Sequence, residues 1–297
     1  MTRRNLITAT LGFAGAAFAV RGGAQGLVPL DVAYAGSMGS MMEGPVKSAV
    51  ASIGIEMRGR AQGSDALAKL IVAGSIAADV FVPVTPGPME TVLEARKARR
   101  GVPIARTEMV IAYSPKSSFA SAFASQPWYE VLQEPGIRFG RTDPATDPQG
   151  RNIIFTLQLA QRYYKQPGLA EKILGAIINP AQIFAEPTVE ARLQSGELDA
   201  ASAYRIQPAS FELPFVRLPD EINLGNESMH AAYQAASLDL GGKTYHPQAL
   251  VYYAAAIEGS AHPDTAAAFV NWFASPQAGA IFKKYAYDPP VGASVLS

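Results

Sequence analysis

The chain has 297 residues, 48% of them hydrophobic, enough to fill more than one core, so two domains are expected. Basic and acidic residues balance at 25 each and charged residues make up only 17%, which excludes a basic nucleic-acid footprint and an acidic disordered tail. There is no cysteine, which excludes disulfides, thiolate metal sites, a cysteine nucleophile and a lipid-modified cysteine anchor.

At the N-terminus, Arg3 and Arg4 precede an apolar run from Leu11 to Val20, with small residues around Ala17 to Ala19 and Gly22 to Ala24. The pattern reads as a signal peptide of twin-arginine type over residues 1–24, so the mature protein is expected in the periplasm. A membrane-spanning anchor needs about 20 apolar residues, and this run is shorter and rich in Gly and Ala. Removal of residues 1–24 deletes Arg3, Arg4 and Arg21 and no acid, leaving 22 basic against 25 acidic residues, a net charge of −3.

Leu30 to Ala35 alternates as a strand, Gly36-Ser37 turns, and Gly39 to Val50 reads as a helix. A strand emptying into a helix start leaves unpaired N–H groups at the sheet edge, backed by the positive end of the helix dipole. With the Ser37 hydroxyl beside them they make a site for an anion. Ser37 as a simple cap of its own helix is the competing reading. The pattern recurs: Gly54 to Arg60 reads as a strand, and Gln62-Gly63-Ser64-Asp65 opens a helix running to about Val72. Two such units at one edge of a parallel sheet lie where open α/β sheets bind ligands.

Ala78 to Val84 is a third strand, and Gly87 to Arg100 a helix with proline in its first turn, its basic run Arg96 to Arg100 forming a solvated last turn. Thr107 to Tyr113 is a further strand, so the first half alternates β with α. Ser114 to Gln126 shifts to Ser, Ala and Phe, which suits a crossing into a second domain. Trp128 to Leu132 reads as a short helix and Ile137 to Gly140 as a strand. The loop Arg141 to Arg151 leads into a helix from about Gly150 to Tyr164, with Asp147 in the cap region and Pro148 in the first turn. Capping alone would account for Asp147.

Thr188 to Gln194 reads as a helix, Gly196 to Tyr204 as a turn and strand, Gln248 to Ile257 as an apolar strand and Pro263 to Phe273 as a helix. Ile222-Asn223-Leu224 belongs to an irregular connection. The expected organisation is a first domain from residues 25–113 and 246–297 and a second from 114–245, joined by two crossings with a cleft between them.

Taken together these motifs resemble the periplasmic molybdate/tungstate-binding proteins, the solute receptors of ABC importers. Ala35-Gly36-Ser37-Met38 is similar to their first oxyanion loop and Gln62-Gly63-Ser64 to their second. The likeness continues through Glu108 to Tyr113, the loop from Phe139 to Gly150, Gly196-Glu197-Leu198-Asp199, Leu218 to Leu224 and Phe269 to Phe273. It implies an α/β, two-domain periplasmic-binding-protein fold of type II, each domain a mostly parallel sheet flanked by helices.

The resemblance also implies roles. Ser37 and Ser64 inherit hydrogen bonds to a tetrahedral oxyanion. The archaeal-type branch, the most similar, carries Asp-Pro-Cys-Gly-Tyr-Arg, matched here by Asp147-Pro148-Gln149-Gly150-Arg151, and its aspartate approaches the metal of the bound oxyanion. That branch's second carboxylate lies in a Glu-Tyr pair, matched here by Ala203-Tyr204, so the carboxylate is missing and the resemblance does not imply six-coordination. Tyr204 matches a tyrosine that the bacterial branch uses to hydrogen-bond a tetrahedral anion. Backbone N–H groups at Gln149 and Val189 complete the site by the same analogy. A second acid, if one exists, would be Glu186 or Glu190. A carboxylate at Asp147 would repel a nearby anion by on the order of 4 kcal/mol per unit charge at 4 Å and an effective dielectric near 20. Direct ligation, a shared proton or an outward-facing cap would each remove that cost.

The expected function is capture of molybdate or tungstate without chemistry and delivery to the membrane permease of an ABC importer, by a monomer with no cofactor and no nucleic-acid partner. Sulfate or phosphate is the alternative ligand. A secreted serine hydrolase is the alternative class, but Ala35 occupies the glycine position of the G-x-S-x-G elbow, and His230, His246 and His262 lie far downstream. No histidine cluster with zinc spacing and no nucleotide-binding glycine motif occurs.

Overall fold

The computed structural model describes residues 26–297, the side chains of Glu186 and Pro187 excepted; the signal read over residues 1–24 lies outside them. Two sheets organise the described chain. The first has the order β2-β1-β3-β11-β4, built from β1 (Val28–Ala35), β2 (Ile55–Gln62), β3 (Val80–Val82), β4 (Val102–Arg106) and β11 (Val251–Ala256). The second has the order β6-β7-β5-β8, from β5 (Met109–Tyr113), β6 (Phe139–Gly140), β7 (Ala200–Tyr204) and β8 (Phe215–Arg217). A hairpin, β9 (Leu238–Leu240) with β10 (Lys243–Tyr245), stands apart.

In the first sheet β1 pairs in parallel with β2 and β3, while β11 runs antiparallel to β3 and β4. Strand alternation sends Leu30, Val32 and Tyr34 into one apolar layer and Ala33 into another with Phe81, Tyr253, Leu67, Ile71, Met89 and Val92. The helix Ser64–Val72 covers that second face, and burial of each such large side chain contributes roughly 1.5–3 kcal/mol. In the second sheet Val110, Ala112, Ala201 and Ala203 pack against Val189 and Leu193 of the helix Glu186–Ser195. Ile111 and Tyr204 lie instead in the layer of Ile153, Ile154 and Phe155 from the helix Pro148–Tyr163.

The structure corrects four expectations. Neither sheet is mostly parallel: the first has two parallel and two antiparallel pairings and the second one parallel and two antiparallel, because β11 and β5, which enter their sheets from the crossings, run against their neighbours. Strand 109–113, assigned to the first domain, pairs with β7 and β8 in the second sheet, so the first crossing falls at Arg106 to Met109. The helix expected to reach Arg100 ends at Glu94. Arg96 takes a left-handed φ of 56°, Arg96 N–H bonds Leu93 O and Lys97 N–H bonds Val92 O, so the chain turns off and the basic run follows the helix. The helix read as continuous over Gly39 to Val50 contains a π turn at Met42–Val46, which accommodates Pro45 and its missing N–H.

The crossings between the sheets are hydrogen-bonded to each other. Thr107 N–H donates to Leu250 O at 2.9 Å, Leu250 N–H to Leu224 O at 2.9 Å and Met109 N–H to Asn223 O at 2.7 Å. Gly225 packs so closely there that a Cβ would stand 2.8 Å from Thr107 O. Buried Glu108 accepts from Arg217 Nε at 2.8 Å and Nη2 at 3.1 Å, pinning β8 to the same place.

Candidate functional site

Two helix N-termini, one from each lobe, face each other across the cleft. The helix Ser64–Val72 begins at the C-terminal end of β2, with Gly63 as its N-cap. The helix Pro148–Tyr163 has Asp147 as N-cap, its Oδ1 accepting from Gln149 N–H at 2.8 Å, and proline in its first turn. The loop ahead of it is fixed from below by Arg141, fully buried, whose Nη2 donates to the carbonyls of Ala176 (3.1 Å) and Ile177 (2.8 Å). Gly150 lets the helix start lie on this loop, since a Cβ there would stand 2.4 Å from Thr142 O. A short 3-10 turn, Gly36–Met38, supplies a third set of backbone donors from the end of β1.

Between these ends lies a recess lined by Ala35, Gly36, Ser37, Gly63, Ser64, Val84, Asp147, Pro148 and Tyr204. Four of the six residues expected from sequence, Ser37, Ser64, Asp147 and Tyr204, are thus brought together, two from each lobe. Gln149 and Val189 are not among the lining residues. Gln149 N–H is given to Asp147, and the Gln149 amide donates through Nε2 to Ser202 O at 3.1 Å. Val189 is the fourth residue of its helix and its side chain is buried in the apolar layer beneath β5 and β7. Glu190, one of the two suggested second acids, is buried but does not line the recess, and the side chain of Glu186 is not described.

Neither serine caps its own helix. The N-cap positions are Ala35 and Gly63, and neither helix start has a side-chain capping bond. Ser37 Oγ instead pairs with Tyr252 Oη at 3.0 Å, and Ser64 Oγ accepts from Val84 N–H at 3.1 Å. That acceptance leaves the Ser64 hydroxyl hydrogen to donate. Tyr204 Oη accepts from Asn152 Nδ2 at 3.0 Å, which directs the phenolic hydrogen away from Asn152. Tyr252, Val84 and Asn152 were not singled out by the sequence. A Gly-Ser junction is readable locally, whereas a tyrosine in an apolar strand 215 residues from its serine partner carries no local signal.

The electrostatics are those of polarised neutral donors with one carboxyl. No Lys, Arg or His side chain lines the recess. Asp147 is held above the ordinary aspartate range by desolvation, a shift opposed by the Gln149 N–H, the Thr142 hydroxyl and the charge of Arg151 and reinforced by Asp65. The recess is small, with about 10 Å³ of space, room for about one water. Chemically the arrangement presents hydroxyl and N–H donors to an anion; no nucleophile with a base beside it is assembled there.

The sequence profile described as bacterial extracellular solute-binding protein matches residues 30–288. The chain is 31% identical over 201 residues to an uncharacterized solute-binding protein of Petrotoga mobilis, covering 64% of this chain and 62% of that one. It is 30% identical over 213 residues to the molybdate/tungstate-binding protein WtpA of Pyrococcus abyssi, covering 63% of this chain and 62% of that one. The chain thus spans about three-fifths of the length of these relatives. Among solved structures, the periplasmic molybdate-binding protein of Azotobacter vinelandii superposes with a TM-score of 0.62 at 19% identity, covering 88% of this chain and 99% of that one. The sulfate-binding protein SubI of Mycobacterium tuberculosis superposes with a TM-score of 0.61 at 13% identity, covering 89% and 88%. At these identities the structural likeness establishes the two-lobed fold alone.

Proposed function

The chain belongs to the family of bacterial extracellular solute-binding proteins, and from that premise we propose that it captures a tetrahedral oxyanion, molybdate or tungstate, between its lobes and delivers it to the permease of an ABC importer. One observation carries the reading: Ser37, Ser64, Asp147 and Tyr204, drawn from both lobes, line one recess between facing helix starts and without a cationic side chain. Helix-terminal N–H groups and hydroxyls hold a dianion without fixed positive charge. The name of the Pyrococcus abyssi relative points to the same ligands. Contacts from both lobes exist together only when the cleft is shut, so ligand binding selects the closed form. In this reading the protein works in the periplasm, exported through its N-terminal signal, as a monomer.

Tyr204 donates to one oxo group and at most one carboxylate, Asp147, approaches the metal of the anion, because Ala203 stands where a second would be. Heat-stability shifts of the mature protein with molybdate, tungstate, sulfate and phosphate test the reading, since a ligand bound only to the native state raises its melting temperature. Molybdate and tungstate are expected to give the largest shifts. Equal or larger shifts with sulfate or phosphate would make the protein a receptor for that anion instead. No shift with any of the four would remove the oxyanion reading.

A further inference from the structure

Beside the oxyanion recess the two lobes are tied by a contact that the recess itself does not need. Arg151, on the first turn of the helix Pro148–Tyr163, donates through Nη2 to Asp65 Oδ2 at 2.5 Å, and Asp65 directly follows Ser64 on the opposite lobe. The Arg151 side chain is only 8% exposed and that of Asp65 37%, so the pair is partly shielded from solvent. The guanidinium is held on its other sides too. Nη1 donates to Pro144 O at 3.1 Å, and Cζ lies over the Tyr245 ring, 4.6 Å from its centroid. A planar cation already held at two other points loses little freedom on reaching across to a carboxylate.

The position of the pair matters as much as its geometry. Asp65, Arg151, Asn152 and Pro148 line a larger cavity of about 450 Å³ between the lobes, and Pro148 also lines the recess. Asn152 joins the two spaces, since its amide holds the Tyr204 hydroxyl that faces the recess. The Arg151–Asp65 pair therefore stands on the wall between the recess and the open cleft. Among the described residues, no other ion pair joins the helix Ser64–Val72 to the helix Pro148–Tyr163.

We propose that Arg151 and Asp65 are positioning residues that bolt the cleft shut and set how long a bound anion stays. The argument for closure stands on the two lobes alone; the residence-time part rests on the oxyanion reading above. An attraction formed only in the closed form shifts the population of lobes toward closure and slows escape by the factor it contributes. A solvent-edge pair of opposite charges is also weakened by salt, which a purely apolar contact is not.

The test uses Asp65→Asn, Arg151→Gln and the double variant of the full mature chain. Small-angle X-ray scattering of ligand-free protein is expected to show a larger radius of gyration for each variant than for the wild type. The double variant should be no larger than the single ones. In 1 M NaCl the wild type is expected to expand toward the variants while the variants stay unchanged, a response that a merely structural role would not give. Stopped-flow release of tungstate is expected to be about two- to five-fold faster in Asp65→Asn, with association no slower, a factor matching the roughly 0.4–1 kcal/mol of a solvent-edge pair. Equal radii for all four proteins at low salt, or identical release rates, would overturn the bolt. If the wild type does not retain tungstate, the oxyanion reading falls and the scattering comparison alone decides the bolt. Asp65→Asn, on the more exposed partner, serves if Arg151→Gln does not fold.

Discussion

Glu190 offers the sharpest test of the second lobe's interior. Its side chain lies in the helix Glu186–Ser195 between Val189 and Leu193, both in the apolar layer under β5 and β7, and the residue is only 6% exposed. Oε1 makes no hydrogen bond within the described residues, and burial pushes the carboxyl from 4.5 up to about 7. The unfolded chain releases this proton near pH 4.5, while the folded protein keeps it until about pH 7. The native state therefore binds the extra proton across that window, and stability falls as pH rises through it. A rise from 4.5 to about 7 corresponds to about 3 kcal/mol lost by pH 8 and none at pH 4. Glu190→Gln removes the titration and keeps the shape. Its unsatisfied amide adds a constant offset, so the slope of the difference carries the test. Urea unfolding of both proteins at pH 4, 6 and 8 should show the variant gaining on the wild type by about 3 kcal/mol between the extremes. A difference that stays flat from pH 5 to pH 8 would refute the reasoning and show that the carboxyl has a polar partner in solution.

Ser37→Ala and Ser64→Ala should each weaken tungstate binding by about 1.5–3 kcal/mol in calorimetric titration, the range for hydrogen bonds to charged groups. Ser64→Ala should also melt lower, because Val84 N–H loses its acceptor, and normal affinity in both variants would remove the serines from the site. Asp147→Asn should hold or raise affinity if the carboxyl only caps Gln149, and lower it sharply if the carboxyl ligates the metal. X-ray absorption on the tungstate complex should count four oxo neighbours and at most one protein carboxylate. Gly150→Ala should lower both the melting temperature and tungstate affinity, since its Cβ must push the loop at Thr142 off the helix start that carries Asp147; an unchanged melting temperature would show that the loop yields freely.

The parts of the candidate site that were legible in the sequence are those in which local chemistry and recess geometry coincide. Gly-Ser at a strand end marks Ser37 and Ser64, and Asp-Pro at a helix start marks Asp147. What could not be read there depends on tertiary approach. Tyr252 reaches Ser37 because β11 returns to lie between β3 and β4. Arg151 meets Asp65 because two helix starts face each other across the cleft. In the fold, β4 was missed because Pro103 interrupts a short apolar run, and the sheet tolerates that proline because β4 is an edge strand. The hairpin β9–β10 had a usable sign in Gly241-Gly242, whose positive φ values of 60° and 77° suit a tight two-residue turn. The registry of β5 with β7 rather than with the first sheet had no such sign, because its run Met109 to Tyr113 is apolar on both faces and suits either sheet.

The ladder that joins Thr107, Met109, Asn223, Leu224 and Leu250 makes the two crossings a single ribbon rather than two independent tethers. Backbone hydrogen bonds across both crossings make them bend together more readily than slide past each other. Lobe opening is therefore expected to follow a bend at these crossings rather than a sliding of one lobe past the other. Ser37 and Ser64 on one side and Asp147 and Tyr204 on the other would then part and meet along that bend. A distance between two labels, one on each lobe, would then follow that bend.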